Sequence, residues 1–448
     1  MCEKIKQQLA PLTPEEQCAY GIIGTLREKG HEAYVVGGAV RDRLLQRTPG
    51  EVDVATSADP ETVQAIFPRT YAVGAAFGVV IAIVDNVQIE VATFRKDAGY
   101  HNGRHPDAVE FSDVCHDAER RDFTINAMFY DPAHCEITDF VGGVRDLRQG
   151  IIRAIGNPSQ RFTEDYLRML RAVRFAARFN FELEAETAGA IRQHAGRIVQ
   201  ISPERVFAEL NNMLTGPHPD RAFELLDELD LLRQLLPEVH AMKGVRQPAE
   251  FHPEGDVFIH TLLLLRALSH PDGELAWSAL LHDVGKPPTF EIGKHGRESF
   301  PCHARVGADM TERILRRLRC PRAFIDHVRE AVHNHMTFAE IKKMRQSTLR
   351  RLMARETFAV ELELHRADCA ASHRKLGNYV HLLDKLHEFR NQPPVPEPLL
   401  RGHDVLATGV PEGPDVGVIL KELEELQLDG EVTTRDAALE WLARRVAE

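Results

Sequence analysis

At 448 residues the chain is too long for one ordinary hydrophobic core, and about three domains are expected. With 43% apolar and 27% charged residues the composition is that of a soluble globular protein, and the net charge of −12 argues against a protein that coats nucleic acid nonspecifically. The longest apolar run, GVVIAIV at 78–84, is far short of the ~20 residues a membrane helix needs.

The N-terminal MCEKIKQQLAP lacks the apolar centre of a signal peptide. The seven cysteines are scattered, odd in number and without a CxxC pair, which favours reduced thiols. A cytoplasmic protein with no membrane association and no obligate protein partner is expected. Thr13-Pro14-Glu15-Glu16 reads as a helix start with proline at the first helical position. EAYVVGG (32–38) reads as a strand, AVRDRLLQ as a helix, and VDVAT (52–56) as a second strand. Asp59-Pro60 starts a helix running to Phe67, and GVVIAIVDNVQIEVATF is a hairpin turning at Asp85-Asn86. This mixed α/β unit is expected to occupy 1–146. From 147 to 242 the pattern turns helical, with Thr163 as the expected cap of one helix over 161–179 and Ser202-Pro203-Glu204 starting another. The polar segment KGVRQPAEFHPEGD (243–256) reads as a separator before a helical, histidine-rich block at 257–391. QPPVPEP (392–398) reads as a stiff linker, and 399–448 as a small helical tail. The fold class expected is α+β: a mixed-sheet head followed by an all-helical neck, a histidine-rich block and a tail.

Within the head, Gly37-Gly38 between a strand and a helix, with Arg41 one turn in, offers amides and a cation to a phosphate. Alone, such a pair is more often just an ordinary turn. Glu51 and Asp53 have the two-residue period of a strand and should share a face. Two carboxylates so placed repel unless a divalent cation or an arginine lies between them. Glu90, in VQIEVATF, joins them if the two strands are neighbours. Three carboxylates beside a phosphate cradle meet the requirement of two-metal phosphoryl transfer; a solvated strand edge balanced by Arg41 or Arg95 is the simpler alternative. RRDFTINAMFYD (120–131) sets Arg121, Asp122 and Asn126 where they could bind triphosphate and ribose, or form a surface ion-pair cluster. RFTEDYLRMLRAVRFAARF (161–179) holds five arginines against two acids through residue 178, a local +3 in an acidic chain. In it Asp165 and Arg168 are three apart, which by itself describes a helix salt bridge.

The array GGAVRD, xDxAT, a strand glutamate before TFR, RRDFTINA and EDxxRxxR resembles the class II nucleotidyltransferases of the DNA polymerase beta superfamily. More narrowly it is similar to bacterial CCA-adding tRNA nucleotidyltransferases and the poly(A) polymerases related to them, over about residues 30–240. The resemblance implies triphosphate contacts from Gly37, Gly38 and Arg41, with Arg121 on phosphates and Asp122, Asn126 and Arg171 on the nucleotide. It implies Mg²⁺ on Glu51 and Asp53, with Glu90 supporting the site. It further implies that Asp165 and Arg168 present hydrogen-bonding edges to the incoming base in place of a template, an acceptor and a forked donor that suit cytosine and adenine. One departure stands out: the family carries DxD where this chain has Glu51-Val52-Asp53. The extra methylene moves a carboxylate by ~1.5 Å, large against metal–oxygen distances of ~2.1 Å.

Residues 260–373 hold ten of the 22 histidines. The order His260 … His282-Asp283 … Asp368 is that of the HD-superfamily phosphohydrolases, which the block resembles throughout. This implies a transition ion such as Ni²⁺ or Mn²⁺, with His303 and His335 available for a second ion and Lys286 for a phosphate. In the tail, the glycine-exposed amides of GVPEGP before a helix could grip a tRNA phosphate or form a plain helix-start turn, while LLRGHD and TTRDAAL resemble the C-terminal segment of CCA-adding enzymes with HD domains.

The reading is template-independent addition of CCA from CTP and ATP to tRNA 3′ ends, with HD-domain phosphohydrolysis alongside. An A-adding enzyme or poly(A) polymerase is the alternative within the class. The flexible-loop segment FRKDAGYHNGRHPDAVEF (94–111) is present at full length, which ranks a CC-adding enzyme lower. Outside the class stands a metal phosphohydrolase whose head only binds RNA.

Overall fold

A computed structural model describes residues 2–74, 78–98, 108–250, 252–293, 296–389 and 397–447. Residues 99–107 of the segment 94–111 and 392–396 of the linker 392–398 lie outside the described residues. The chain divides into two compact units, Met1–Pro237 and Glu238–Glu448.

Up to Asp139 the described residues of the first unit form ten strands: β1 (Glu3–Lys6), β2 (Ala33–Val36), β3 (Asp53–Thr56), β4 (Thr70–Gly74), β5 (Val79–Val84), β6 (Val87–Thr93), β7 (Arg95–Ala98), β8 (Ala108–Phe111), β9 (Met128–Asp131) and β10 (Glu136–Asp139), and a two-residue parallel pair, Ile151–Ile152 with Glu182–Leu183, follows. Eight of the ten form one mixed sheet in the order β1-β10-β9-β2-β3-β6-β5-β4. Every neighbouring pair is antiparallel except β3 and β6, which run parallel with Asp53 opposite Glu90. The crossover that allows this carries the helix Pro60–Ile66, started by Asp59, whose side chain accepts from Thr62 N. The expected hairpin forms, with Asp85 and Asn86 both at positive φ, the geometry that matches the twist of two-residue hairpins. Strand β1 was not anticipated: Glu-Lys-Ile-Lys has too few apolar residues, and its pairing with β10 alone makes it an edge strand. Val36, Ala55, Phe94, Ala127 and Phe129 pack one buried cluster beside the point where β2 ends at the glycine pair.

Two local expectations are corrected. The helix expected over 161–179 is two helices, Pro158–Glu164 and Leu167–Phe179, broken at Asp165 in extended conformation. Asn157, not Thr163, caps the first by accepting from Gln160 N. Asp165 Oδ1 accepts from Leu167 N and so opens the second. Glu51 also lies outside any strand: β3 begins at Asp53 because its partner β2 ends at Val36, leaving residue 51 nothing to pair with. The strand-period argument for a shared face therefore fails.

The second unit is helical, with one two-residue ladder between Glu291–Ile292 and Glu298–Ser299 among the described residues. Its helices Val257–Ala267, Gly273–Leu281, His303–Arg317, Arg322–Asn334 and Phe358–Ala371 surround Trp277 and a buried aliphatic core. At Gly285, a Cβ would stand 2.2 Å from His303 O, so only glycine lets these two segments cross. The polar segment 243–256, between the neck and the histidine-rich block, is not an open connector. Val257 N donates to Val245 O and Gln247 N to Gly255 O, closing it into a loop whose Gln247 and Glu254 side chains are buried.

Candidate active site and candidate metal centre

A cavity of about 980 Å³ in the first unit is lined by Gly37, Gly38, Arg41, Glu51, Asp53, Arg121, Asp122, Asn126, Asp165, Arg168 and Arg171. All but one of the head and neck residues singled out from sequence thus meet around one space. The exception is Glu90, which reaches the site as the cross-strand neighbour of Asp53. Arg120, Arg174, Arg178 and Arg205 line it as well, so eight arginines face six carboxylates in an otherwise acidic chain. Such a surplus suits a polyanion.

Asp53 is placed by the sheet. Burial pushes its carboxyl up to about 6, the Glu90 carboxylate adds to the rise, Arg121 opposes it and Glu51 contributes a little. A half-buried carboxylate with like-charged neighbours is the kind of donor a hard divalent cation satisfies. Arg121 is the positive group at hand. Its Nη2 is 3.0 Å from Asp117 Oδ2, and its Nη1 donates to Asn126 O. A Cβ on Gly37, which has φ of +70°, would lie 3.3 Å from that Nη1. Glycine therefore admits both the left-handed turn and the arginine. Asp117 was not anticipated; it is 1% exposed and pairs with both Arg120 and Arg121, three and four residues on. The ion-pair cluster considered for RRDF exists, and it holds Arg121 at the cavity.

Behind these lies a continuous polar chain. Arg41, buried against the Phe175 and Phe179 rings, donates Nη1 to Asn126 Oδ1 at 2.5 Å and pairs with Asp42 at 2.7 Å. Asn126 Nδ2 donates to Asp122 Oδ1 at 3.1 Å, and Arg171 grips Asp122 Oδ2 at 2.7 Å. Burial works against the Asp122 carboxylate, but Arg171, Asn126 and Arg168 hold it down to about 2. In this state Asp122, Asn126 and Arg41 are engaged with one another and brace the wall.

Asp165 Oδ2 is 2.6 Å from Arg205 Nη2, while Arg168 pairs with Glu164 and donates to Arg161 O at 2.8 Å. Each member of the sequence pair thus has a charged partner of its own. Arg205 and Glu209, the latter 2.6 Å from Arg174, come from the helix Pro203–Leu214 and were missed. Nothing local in SPERVFAEL marks them; only the packing of that helix on Leu167–Phe179 does. Arg174 and Arg178 were visible as part of the arginine surplus.

The second unit brings its donors together. His260 Nε2 lies 3.0 Å from Asp368 Oδ1, and His282 Nε2 3.1 Å from Asp283 Oδ2. Asp283 Oδ1 turns the other way, 3.7 Å from His303 Nε2 and 3.8 Å from His335 Nε2. Among the described residues three groups of three could hold a metal ion: His252–Glu254–His260, His260–His282–Asp283 and Asp283–His303–His335. Ligands at right angles on an ion with bonds of about 2.1 Å stand about 3.0 Å apart, which the two short contacts match. Both ring nitrogens of His260 and the Nε2 of His282 are buried without an aligned hydrogen-bond partner. Buried lone pairs facing one another fit a cation between them. Burial, His282 and His303 push the His335 imidazole down to about 3, with Asp283 opposing, so it stands as a neutral donor. Lys286 is buried, its Nζ 2.5 Å from Gln247 Oε1 and 2.7 Å from Asp283 Oδ2. It is tied to the centre's own carboxylate.

The head and its cavity have the architecture of a poly(A)-polymerase-type domain, carried with an HD-type helical unit. Three family models match accordingly: "Poly A polymerase head domain" over 33–153, "Probable RNA and SrmB- binding site of polymerase A" over 180–243, and "HD domain" over 257–372. The solved Bacillus stearothermophilus CCA-adding enzyme, in complex with CTP, is 30% identical with a TM-score of 0.76, covering 97% of this chain and 98% of that one. The chain belongs to the family of CCA-adding enzymes. Among curated relatives, the CCA-adding enzyme of Anoxybacillus flavithermus is 46% identical over 226 residues, which is 50% of this chain and 56% of the relative. That of Geobacillus thermodenitrificans is 44% identical over 275 residues, 61% of this chain and 64% of the relative. The chain therefore spans just over half the length of the curated relatives it matches. No helix among the described residues is long and apolar enough to cross a membrane.

Proposed function

We propose that the first unit adds nucleotides from CTP and ATP to the 3′ end of a tRNA without a template. The observation that carries this is Asp53 opposite Glu90 on parallel strands, in an arginine-lined cavity reached by Asp165 and Arg168. Gly37, Gly38, Arg41 and Arg121 would receive the triphosphate. Asp53 and Glu51 would hold Mg²⁺, supported by Glu90. Bound there, Mg²⁺ supplies charge neutralisation for the attacking hydroxyl and the leaving pyrophosphate. Arg171 keeps Asp122 ionised and fixed, so that Asp122 and Asn126 form a rigid wall against the ribose. Asp165 and Arg168 would meet the base edge, each exchanging its present ion-pair partner for part of that contact. Full CCA addition is favoured over A-only or poly(A) addition by the CTP-bound relative's likeness over the whole chain. Incubating the protein with tRNA ending at the discriminator base, with CTP and ATP singly and together, tests the reading. Incorporation of CMP from CTP alone, then AMP only when CTP is also present, is expected; AMP alone would mark an A-adding enzyme.

A second activity is supported by the histidine centre: hydrolysis of a phosphoester on a transition ion, Ni²⁺ or Mn²⁺, held by His260, His282, Asp283 and Asp368. His303 and His335 would provide for a second ion on the far oxygen of Asp283. A terminal phosphate or 2′,3′-cyclic phosphate is a fitting substrate, because its removal frees the hydroxyl the first unit needs. Metal-stripped protein should be inert on a bis-aryl phosphate and recover with either ion.

A further inference from the structure

Four histidines converge on the metal centre, and three of them are oriented in one way. His282 Nδ1 lies 2.8 Å from Ala279 O, His303 Nδ1 2.9 Å from Phe300 O, and His335 Nδ1 2.7 Å from Val332 O. A carbonyl only accepts, so each contact places the proton on Nδ1 and leaves Nε2 as a lone pair. In each case the carbonyl sits three residues earlier, and in each case Nε2 is the atom that faces Asp283.

His260 is built differently. It lies within the helix Val257–Ala267, and its Nδ1 faces Oε1 of Glu254 at 2.7 Å, slightly out of line with the ring N–H. Its Nε2 faces Asp368. Glu254 comes from the segment 243–256 and is 6% exposed, and the same Oε1 is 3.0 Å from His252 Nδ1. The His252 ring also packs edge-on against that of His260, with centroids 4.7 Å apart. Glu254 Oε2 is buried and has no partner. A buried carboxylate this close to two ring nitrogens, with its second oxygen unpartnered, is costly unless those nitrogens carry protons for it.

We propose that Glu254, steadied by His252, is a positioning residue of the metal centre: its carboxylate holds the Nδ1 proton of His260 and so commits His260 Nε2 to the ion. It does for His260 what a backbone carbonyl does for the other three histidines, with a full negative charge in place of a dipole. A carboxylate behind a ligating imidazole also raises the basicity of that ligand. Gln247, on the same segment, holds Lys286 against Asp283. Segment 243–256 is thus the outer wall of the centre.

The inference rests on the second unit being a metal centre, and the experiment separates the two. Full-length protein stripped of metal is titrated with Ni²⁺ and with Co²⁺, reading the number of ions per chain, their affinities and the Co²⁺ absorption spectrum. Wild type, Glu254→Ala, Glu254→Gln and the ligand-loss control His282→Ala are compared. Glu254→Ala should bind the same number of ions as wild type, one of them roughly 10- to 100-fold more weakly, with a shifted Co²⁺ spectrum. Glu254→Gln, which keeps the volume and an accepting oxygen, should recover part of the loss; this volume-conserving variant carries the test if the alanine chain does not fold. Unchanged affinity in both variants overturns the proposal. So does loss of one whole ion, which would make Glu254 a ligand. Wild type that binds neither ion overturns the metal centre, and the proposal with it.

Discussion

Asp53 is the residue on which the candidate active site turns, because the sheet fixes it while Glu51 hangs free of the sheet. Its carboxyl is pushed up from 3.8 to about 6, so the metal-free fold favours the protonated form. That contribution to stability is complete below about pH 4 and is lost as pH rises through about 6. Asp53→Asn should therefore melt above wild type at pH 7.5 in a chelator, by at most about 3 kcal/mol, and match it near pH 4. The same variant should lose nucleotide addition by about 10³-fold or more, since a metal ligand is worth several kcal/mol in the transition state. Calorimetry at the two pH values, with an incorporation assay, checks both; a variant that melts lower at pH 7.5 sinks the assignment of buried, repelled charge. Glu51 is exposed and outside the strand, so its longer side chain has room to fold back. Glu51→Asp should keep or raise the rate, and a collapse of the rate would show a site built around glutamate.

At the scale of elements, the turn after β2 and the break between two neck helices place the chemistry. Gly37→Ala would put a methyl 3.3 Å from Arg121 Nη1 and force φ of +70° on an L side chain, at a cost of about 1–2 kcal/mol. It should weaken nucleotide binding more than it lowers the melting temperature, because the arginine moves. An unchanged KM for CTP would separate Arg121 from the triphosphate. Arg168→Ala should relax the choice of base by ~1–3 kcal/mol while leaving triphosphate affinity nearly intact. Competition between CTP and UTP measures this; equal rejection of UTP would reduce Arg168 and its Glu164 contact to a helix ion pair. The break at Asp165 was not legible, because TEDYLRML has helix formers on both sides. Only Asp165 bonding to Leu167 N and Arg205 holding its other oxygen show why the helix stops there.

For the whole molecule, two compact units carry two candidate sites, one formed from residues of each unit. His282→Ala should abolish metal-dependent phosphoester hydrolysis and leave CMP and AMP addition at the wild-type rate. A matching fall in nucleotide addition would mean that the second unit contributes to the first reaction. The placement of segment 243–256 decides how far the second site extends. Its proline and glycine suggest a connector, yet its backbone closes on itself and sends Gln247, His252 and Glu254 inward.

The sequence by itself determined the order of the elements, the mixed-sheet head with helical parts after it, and the residue types around both sites. Those were readable because strand alternation, helix caps and short motifs are local: Gly37-Gly38 must turn, and Asp59-Pro60 must start a helix. Tertiary structure alone decided which charges meet. Asp53 faces Glu90 only because β3 and β6 run parallel, and Arg205 finds Asp165 only because one helix packs against another. Glu254 reaches His260 only when a polar loop folds under the helix that carries it. Partners distant in sequence leave no periodic signal, since a carboxylate's energy depends on what burial and charge surround it rather than on its neighbours along the chain.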